Sequence, residues 1–129
     1  MTESRHQKGL DNIEQLYGEV GTSGLEKNSK LSNQFERYIC DFAYGDIYSR
    51  ESLSLQQKQI VTISSLVTQG CVQHELKMHM LGGINAGLTR EQVLDICVHC
   101  LPYVGFPRVT VALETAHALF DEIDQKKIK

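Results

Sequence analysis

The densest group of chemically active side chains is CVQHELKMH, residues 71–79, with a cysteine, two histidines and a glutamate. Glu75 and His79 are four residues apart, so on a helix they share one face. A carboxylate beside an imidazole fixes its tautomer and raises its pKa, which suits proton transfer near neutral pH. Spacing alone favours the alternative, a solvated pair on a surface helix. His74 and Lys77 are predicted to face solvent.

A metal site in this stretch is disfavoured by the spacing of its histidines. His74 and His79 are five residues apart and diverge by about 140° on a regular helix. Zinc could use Cys97 and Cys100 together with Cys71 or His79. A single CxxC without a second pair is a weak signal for such a site. The sequence therefore predicts no metal.

A redox role is the second chemistry to weigh, because Cys97 and Cys100 form a CxxC. A reactive thiol usually lies near the start of a helix, where the dipole lowers its pKa. This pair lies at the end of a predicted helix, which favours two buried, unreactive thiols. All four cysteines are predicted to be reduced, with no bond between Cys97 and Cys100.

Apolar residues recur at helical spacing nearly everywhere, which predicts an all-α fold of about six helices without a strand. One such predicted helix face carries Leu31, Phe35, Tyr38 and Phe42. GTSG at 21–24 is expected to end the first helix, and residues 45–52 to separate the second from the third. The expected helix-end signals are capping boxes at Ser54 and Thr89, a C-terminal Gly87, and Pro107 in the first turn of the last helix.

The chain of 129 residues is short enough for a single domain, 1–129, with residues 1–8 expected to be frayed. Its formal net charge of −3, with both signs interspersed, does not suggest a nucleic-acid or membrane surface. No apolar run is long enough to cross a bilayer, and the polar N-terminus lacks a signal core. A cytoplasmic protein is expected.

Several motifs in order resemble the carboxymuconolactone decarboxylase family. They are GDIYSR before a helix, ELKMH in the next helix, NAGLTREQV at the following turn, and YVGFP; the resemblance is clearest over 35–123. It implies a helical bundle like that of the alkylhydroperoxidase AhpD, assembled as a trimer or hexamer. The implied reaction is cofactor-free decarboxylation of 4-carboxymuconolactone in protocatechuate catabolism.

Carried over by motif, the family's histidine corresponds to His79, its acidic residue to Glu75 and its arginine to Arg50. The chain departs from the family by placing Glu51 where proline is usual and Tyr48 where tryptophan is common. The extra carboxylate puts the natural substrate in question, so a related small anionic lactone stays open.

The redox branch of the superfamily carries CxxCxxxH, and its two cysteines would correspond to Val72 and Glu75 here. The thiols of a peroxiredoxin-type mechanism are therefore missing from that motif. Thiol chemistry through Cys71, or through Cys97 and Cys100, remains the alternative.

In the implied mechanism, Arg50 binds a substrate carboxylate, His79 donates a proton to carbon after carbon dioxide leaves, and Glu75 orients the imidazole. Tyr103 and Phe106 are expected to wall the pocket, with plain core or subunit packing as their alternative. Apolar stripes on helices 71–86 and 107–125 are expected to exceed one small core and to drive self-assembly.

Overall fold

A computed structural model describes residues 4–128 and shows helices and turns, with no strand in that range. The all-α prediction is confirmed, although the helical elements are shorter and more numerous than the six expected. They are α1 (Arg5–Tyr17), α2 (Glu19–Ser29), α3 (Phe35–Arg37), a π-helix (Tyr38–Ile47), α4 (Leu55–Gln69), α5 (Gln73–Asn85), α6 (Arg90–His99), α7 (Leu101–Val104) and α8 (Phe106–Asp124).

The chain divides into two compact units, the first ending at Ser54 and the second beginning at Leu55. In the first unit α1 packs along the π-helix, and in the second α4, α5, α6 and α8 pack together. Each unit has its own buried residues and is described by itself. A single domain over 1–129 stays a prediction.

Helix α1 begins at Arg5, earlier than predicted. The Ser4 hydroxyl accepts a hydrogen bond from the backbone N–H of Gln7 at 3.1 Å, which caps the first turn. Fraying was therefore the wrong expectation for residues 5–8, and residues 1–3 lie outside the described chain. This early start matters because it places His6 inside a helix.

The boundary between the first two helices lies at Gly18, and the prediction that GTSG at 21–24 ends the first helix was wrong. Gly18 has φ +58°, a left-handed conformation that glycine adopts without strain, whereas residues 21–24 continue inside α2. A Cβ on Gly21 would press against the side chains of Ile13 and Tyr17. The glycines of GTSG therefore include one that permits close packing within a helix.

The first unit is held together by an unusually close approach of α1 to the π-helix. A Cβ on Gly9 would collide with the backbone and sulfur of Cys40, so the close contact requires glycine there. The phenol oxygens of Tyr17 and Tyr44 are 2.8 Å apart across the same interface. Arg5 forms two hydrogen bonds to the carboxylate of Asp46. Two helices distant in sequence are thereby held in one register.

One predicted apolar stripe is not buried in this unit, and it does not lie on one regular helix, because Leu31 is in a turn, Phe35 is in α3, and only Tyr38 and Phe42 are in the π-helix. The wider turn of the π-helix is closed by bonds such as Tyr48 N–H to the Ala43 carbonyl, five residues back. The core side of this segment carries Cys40 and Tyr44. The apolar residues predicted to share a helix face are instead exposed by 37–73%: Leu31, Phe35, Tyr38 and Phe42.

In the second unit the predicted helix-end signals have the expected positions. Thr89 and Gln92 form both hydrogen bonds of a capping box at the start of α6. Gly87 follows the last residues of α5 with φ +110°, and Pro107 lies in the first turn of α8. Among residues 4–128, no helix combines the length and the apolar character needed to span a membrane.

Candidate functional site

Helix α5 carries the ELKMH motif and is entered through a tight turn. Gly70 and Cys71 both have positive φ, +71° and +58°, and they reverse the chain between α4 and α5. Leu76, Met80 and Leu81 are buried on the core side of the helix. Because the helical period fixes the direction of each side chain relative to the others, the burial of these three residues also determines which way Glu75 and His79 point.

Glu75 and His79 lie on this one regular helix, as their spacing predicted, but their environments differ. The Glu75 side chain is exposed, whereas His79 is half-buried. Burial lowers the pKa of His79 to about 4, and the nearby charge of Glu75 raises it only in part. Glu75 raises this pKa, as expected, but the net shift is downward because the lost hydration of the imidazolium outweighs the carboxylate.

The uncharged imidazole is therefore the state of His79 at neutral pH in the protein without substrate. In that state one ring nitrogen donates a hydrogen bond and the other accepts one. A negative charge that arrives beside the imidazole raises its pKa and favours the protonated form, which can then donate a proton. The charge of His79 therefore depends on the charges that surround it.

Arg50 lies just after the π-helix, where its backbone N–H bonds to the Ile47 carbonyl. Its side chain is exposed, as is that of Glu51. The neighbouring Tyr48 packs against Tyr44, with their ring centroids 4.4 Å apart. Arg50 belongs to the first unit and His79 to the second, so their joint action remains a prediction.

Tyr103 and Phe106 flank a glycine turn between α7 and α8, where Gly105 has φ +90°. Their side chains are exposed by 78% and 73%. Packing in the core of this chain is therefore not their role. Walling a pocket, or packing against another subunit, stays a prediction for both.

Lys77 differs from the expectation that it faces solvent. Its ammonium group is 2.9 Å from a carboxylate oxygen of Glu122 on α8, and both side chains are partly buried. The residues three and four positions from Lys77, which local reasoning considers, do not include this partner, because Glu122 is distant in sequence. His74 is exposed, as predicted.

The cysteines are all free thiols, in keeping with the prediction of no disulfide. Cys97 and Cys100 are buried, and burial raises the pKa of Cys97 to about 12. A thiol with that pKa stays protonated and is a poor nucleophile at neutral pH. Cys71 alone among the four is exposed. These environments oppose the redox alternative at the CxxC pair.

Two surface cavities of the second unit lie away from His79. One, of about 280 Å³, is lined by Ile60, Ser64, Leu88, Gln92, Asp95, Ile96 and His99. The other, of about 190 Å³, runs from the turn at Gly70 and Cys71 to Arg108 on α8. Asp95 and His99 are a second carboxylate–imidazole pair at i and i+4, which the same spacing rule would have found.

Residues 33–118 match the carboxymuconolactone decarboxylase family. The chain belongs to this family. Arg50, Glu75, His79, Tyr103 and Phe106 all lie within the matched residues.

Of three curated relatives, two are named as decarboxylases of different substrates, and the name of the third states no reaction. A 4-carboxymuconolactone decarboxylase from Acinetobacter baylyi is 30% identical over 94% of this chain and 90% of its own length. A nitrosuccinic acid decarboxylase from Metarhizium robertsii is 24% identical over 88% of this chain and 80% of its own. Peroxisomal protein 2 from Schizosaccharomyces pombe is 32% identical over 68% of this chain but only 41% of its own length.

Proposed function

We propose that this protein is a decarboxylase of small acids that carry at least two carboxylates and an electron-accepting group. The observation that carries the proposal is the similarity, over nearly the whole chain, to a protein named 4-carboxymuconolactone decarboxylase. The substrate class is drawn from both named decarboxylases. A conjugated lactone carbonyl or a nitro group can accept the electron pair that carbon dioxide leaves behind. We take 4-carboxymuconolactone, or a related anionic lactone, as the first candidate.

The chemical step needs a proton donor and an anion-binding group. The bond between the carboxylate carbon and its neighbour breaks, carbon dioxide leaves, and the electron pair moves into the conjugated acceptor. The proposed donor, His79 in its protonated form, then transfers a proton to carbon and returns to neutral imidazole. Each turnover consumes one proton from solvent. The electrons are held by the substrate itself throughout this step.

The low pKa of His79 has a direct consequence for this mechanism. The free protein holds a neutral imidazole at neutral pH, so His79 takes up its proton when the anionic substrate binds. The added negative charge raises the pKa of the imidazole, and Glu75 acts in the same direction. Arg50 is the proposed partner of the carboxylate that stays on the product. Tyr103 and Phe106 are proposed to shield the bound substrate from water.

Self-assembly into a trimer or hexamer is part of the proposal. The support is the amount of exposed apolar side chain, at Tyr38, Phe42, Tyr103 and Phe106 among others. Several of these residues lie outside the helices 71–86 and 107–125 that the sequence pointed to. Light scattering at micromolar concentration tests this, and a 14.5 kDa monomer would contradict it.

The deciding experiment measures carbon dioxide release from synthetic 4-carboxymuconolactone and, in parallel, from nitrosuccinate. Turnover of either acid supports the proposal and names the acceptor that the site prefers. A peroxide-consumption assay with a thiol reductant is run on the same preparation. Peroxide turnover that disappears in a Cys97→Ser, Cys100→Ser double variant, without decarboxylation of either acid, would replace this proposal with the redox alternative.

A further inference from the structure

A second group of reactive side chains lies in the first unit, between α1 and the π-helix. Nδ1 of His6 is 2.6 Å from Oδ1 of Asp41 and 3.8 Å from Sγ of Cys40. One donor atom from each of the three residues lies within 4.8 Å of the other two. Cys40 is almost fully buried, Asp41 is partly buried, and the His6 side chain is 45% exposed. The group is therefore closed on one side and open to solvent on the other.

This arrangement is unsuited to nucleophilic catalysis. A Cys–His–Asp relay uses the two ring nitrogens separately, one facing the thiol and the other the carboxylate. Here both partners face the same nitrogen of His6. Burial and the adjacent Asp41 also raise the pKa of the Cys40 thiol to about 11. An attacking thiolate is therefore not what the geometry provides.

We propose that His6, Cys40 and Asp41 bind a divalent transition-metal ion of the zinc class. One imidazole nitrogen, one thiolate and one carboxylate are ligand types that zinc accepts, and three protein ligands leave a fourth position open to water. The exposed side of His6 provides the route of entry. The thiolate selects against magnesium and calcium, which prefer oxygen ligands.

Two of the three ligand separations require only a small local change on binding, and the third, between Cys40 and Asp41, is within 4.8 Å. Tetrahedral zinc with bonds of about 2.0–2.3 Å separates neighbouring ligand atoms by about 3.4–3.6 Å. The Cys40 sulfur and His6 nitrogen are close to that separation at 3.8 Å. The His6–Asp41 pair, at 2.6 Å, must open by less than about 1 Å. The ion takes the place of the proton that these two atoms share.

The surrounding helices hold the three ligands in place. Gly9 allows α1 to lie directly against Cys40, and the paired hydrogen bonds from Arg5 to Asp46 lock the same two helices. Consecutive residues of the π-helix supply the sulfur and the carboxylate. Arg5 is engaged by Asp46, which limits its repulsion of an incoming cation. A bound ion would cross-link α1 to the π-helix.

Binding must release protons, which gives the proposal a signature of its own. The Cys40 thiol loses its proton to become a thiolate ligand. The proton on Nδ1 of His6 must also leave that nitrogen, either to the other ring nitrogen or to solvent. At least one proton is therefore released for each ion bound. This inference goes beyond the proposed decarboxylation, none of whose steps is routed through the metal.

The test uses the full-length protein, freed of metal with a chelator, and Co²⁺ as a spectroscopic probe for zinc. A 1:1 titration with an ultraviolet thiolate-to-cobalt charge-transfer band, reversed by one equivalent of Zn²⁺, is the expected result. Titration calorimetry in two buffers of different ionisation enthalpy should show the release of at least one proton. Mg²⁺ should produce no signal.

Variants connect the signal to this group. His6→Gln, at a half-exposed position, should weaken Zn²⁺ binding by about 100-fold or more, because loss of a direct ligand should cost at least as much as loss of an outer-shell partner. Asp41→Asn should weaken it by at least about tenfold. Cys40→Ala should remove the charge-transfer band. The matched controls Cys71→Ser and His74→Gln, both at exposed positions of the second unit, should change neither affinity nor spectrum.

Two results would overturn the inference. One is the lack of a cobalt–thiolate band in the wild-type protein at millimolar Co²⁺, which would leave the three residues as a hydrogen-bonded cluster. The other is a band that survives in folded His6→Gln with unchanged affinity but disappears in Cys71→Ser. Circular dichroism of each variant shows whether it has folded.

Discussion

His6 and His79 each lie near a carboxylate, yet the two sites have opposite electrostatics. In the first unit His6 is half-exposed and contacts Asp41 directly, at 2.6 Å. Burial would raise the pKa of Asp41, but the hydrogen bond and charge of His6 outweigh it, so this pKa lies below its ordinary value. In the second unit the histidine is the desolvated partner, and its pKa falls to about 4 although Glu75 is near.

The comparison shows that the pair of residue types does not determine the charge state. The balance between desolvation and the direct contact does: the contact with His6 outweighs burial at Asp41, whereas burial outweighs the charge of Glu75 at His79. In the first unit the contact with His6 therefore favours the charged form of the Asp41 carboxylate. In the second unit burial favours the neutral imidazole of His79, and an added negative charge would raise its pKa.

The largest effect is expected from replacing His79. Under the proposed mechanism, His79→Gln should lower kcat for decarboxylation by about 10²–10⁴-fold, because a positioned proton donor is lost. His74→Gln, on the exposed side of the same helix, is the matched control and should keep full activity. Retained activity in folded His79→Gln would show that another group supplies the proton.

Stability should depend on pH through His79. The folded pKa of about 4 lies below the ordinary value of 6.5, so between these values the unfolded chain binds a proton that the folded chain does not. This contribution is fully present above pH 6.5 and is lost as pH falls towards 4, by roughly 3 kcal/mol in the free energy of unfolding. Urea unfolding across this range measures it.

The control for this pH dependence is His79→Gln, which should flatten the curve between pH 6.5 and 4, while His74→Gln should not. If both variants keep the wild-type slope, the imidazole of His79 is hydrated in solution and the contrast with His6 disappears.

Replacing Arg50 tests whether the first unit contributes to the proposed reaction. Arg50→Ala should raise KM for the anionic substrate by about tenfold or more, as expected for loss of a hydrogen bond to a charged group. The effect on kcat should be smaller if the contact is equal in ground and transition states. Arg37→Ala, another exposed arginine of the same unit, should leave KM unchanged. Equal effects of both variants would indicate only a general loss of positive charge.

The smallest effect is expected from the metal-free His6–Asp41 pair. A double-mutant cycle of His6→Gln and Asp41→Asn, measured with a chelator present, should give a coupling energy below about 1 kcal/mol, because His6 is half-exposed and water screens the pair. Saturating Zn²⁺ should raise the midpoint of thermal unfolding only while all three proposed ligands are present. A Zn²⁺-induced shift of equal size in the double variant would show that the stabilisation does not come from these three residues.

Much of the second unit was accessible from local sequence signals. The capping box at Thr89, the glycine at 87 and the proline at 107 each act within a few residues, so their roles could be predicted without a tertiary structure. The shared face of Glu75 and His79 follows from the helical period in the same way. The partner of Lys77 could not be found locally, because Glu122 is 45 residues away.

The first unit shows where local reasoning fails. The spacing of Leu31, Phe35, Tyr38 and Phe42 predicted one helix face, but these residues are divided among a turn, α3 and the π-helix, and the buried residues of the π-helix are Cys40, Tyr44 and Gly45. GTSG contains the residues that usually break helices, yet Gly21 serves close packing instead. A glycine that ends a helix and a glycine that permits close packing are the same in sequence, and only the neighbours in space distinguish these two roles.

By itself the sequence determined the helical class, the ends of several helices and the family, because these depend on short-range periodicity and on the order of motifs. Only the tertiary structure decided the charge of His79, the pairing of Lys77 with Glu122, and the meeting of His6 with Cys40 and Asp41. Each of these depends on which groups lose water and which distant segments touch. Desolvation and contact are properties of the packed chain, and no spacing along the sequence specifies them.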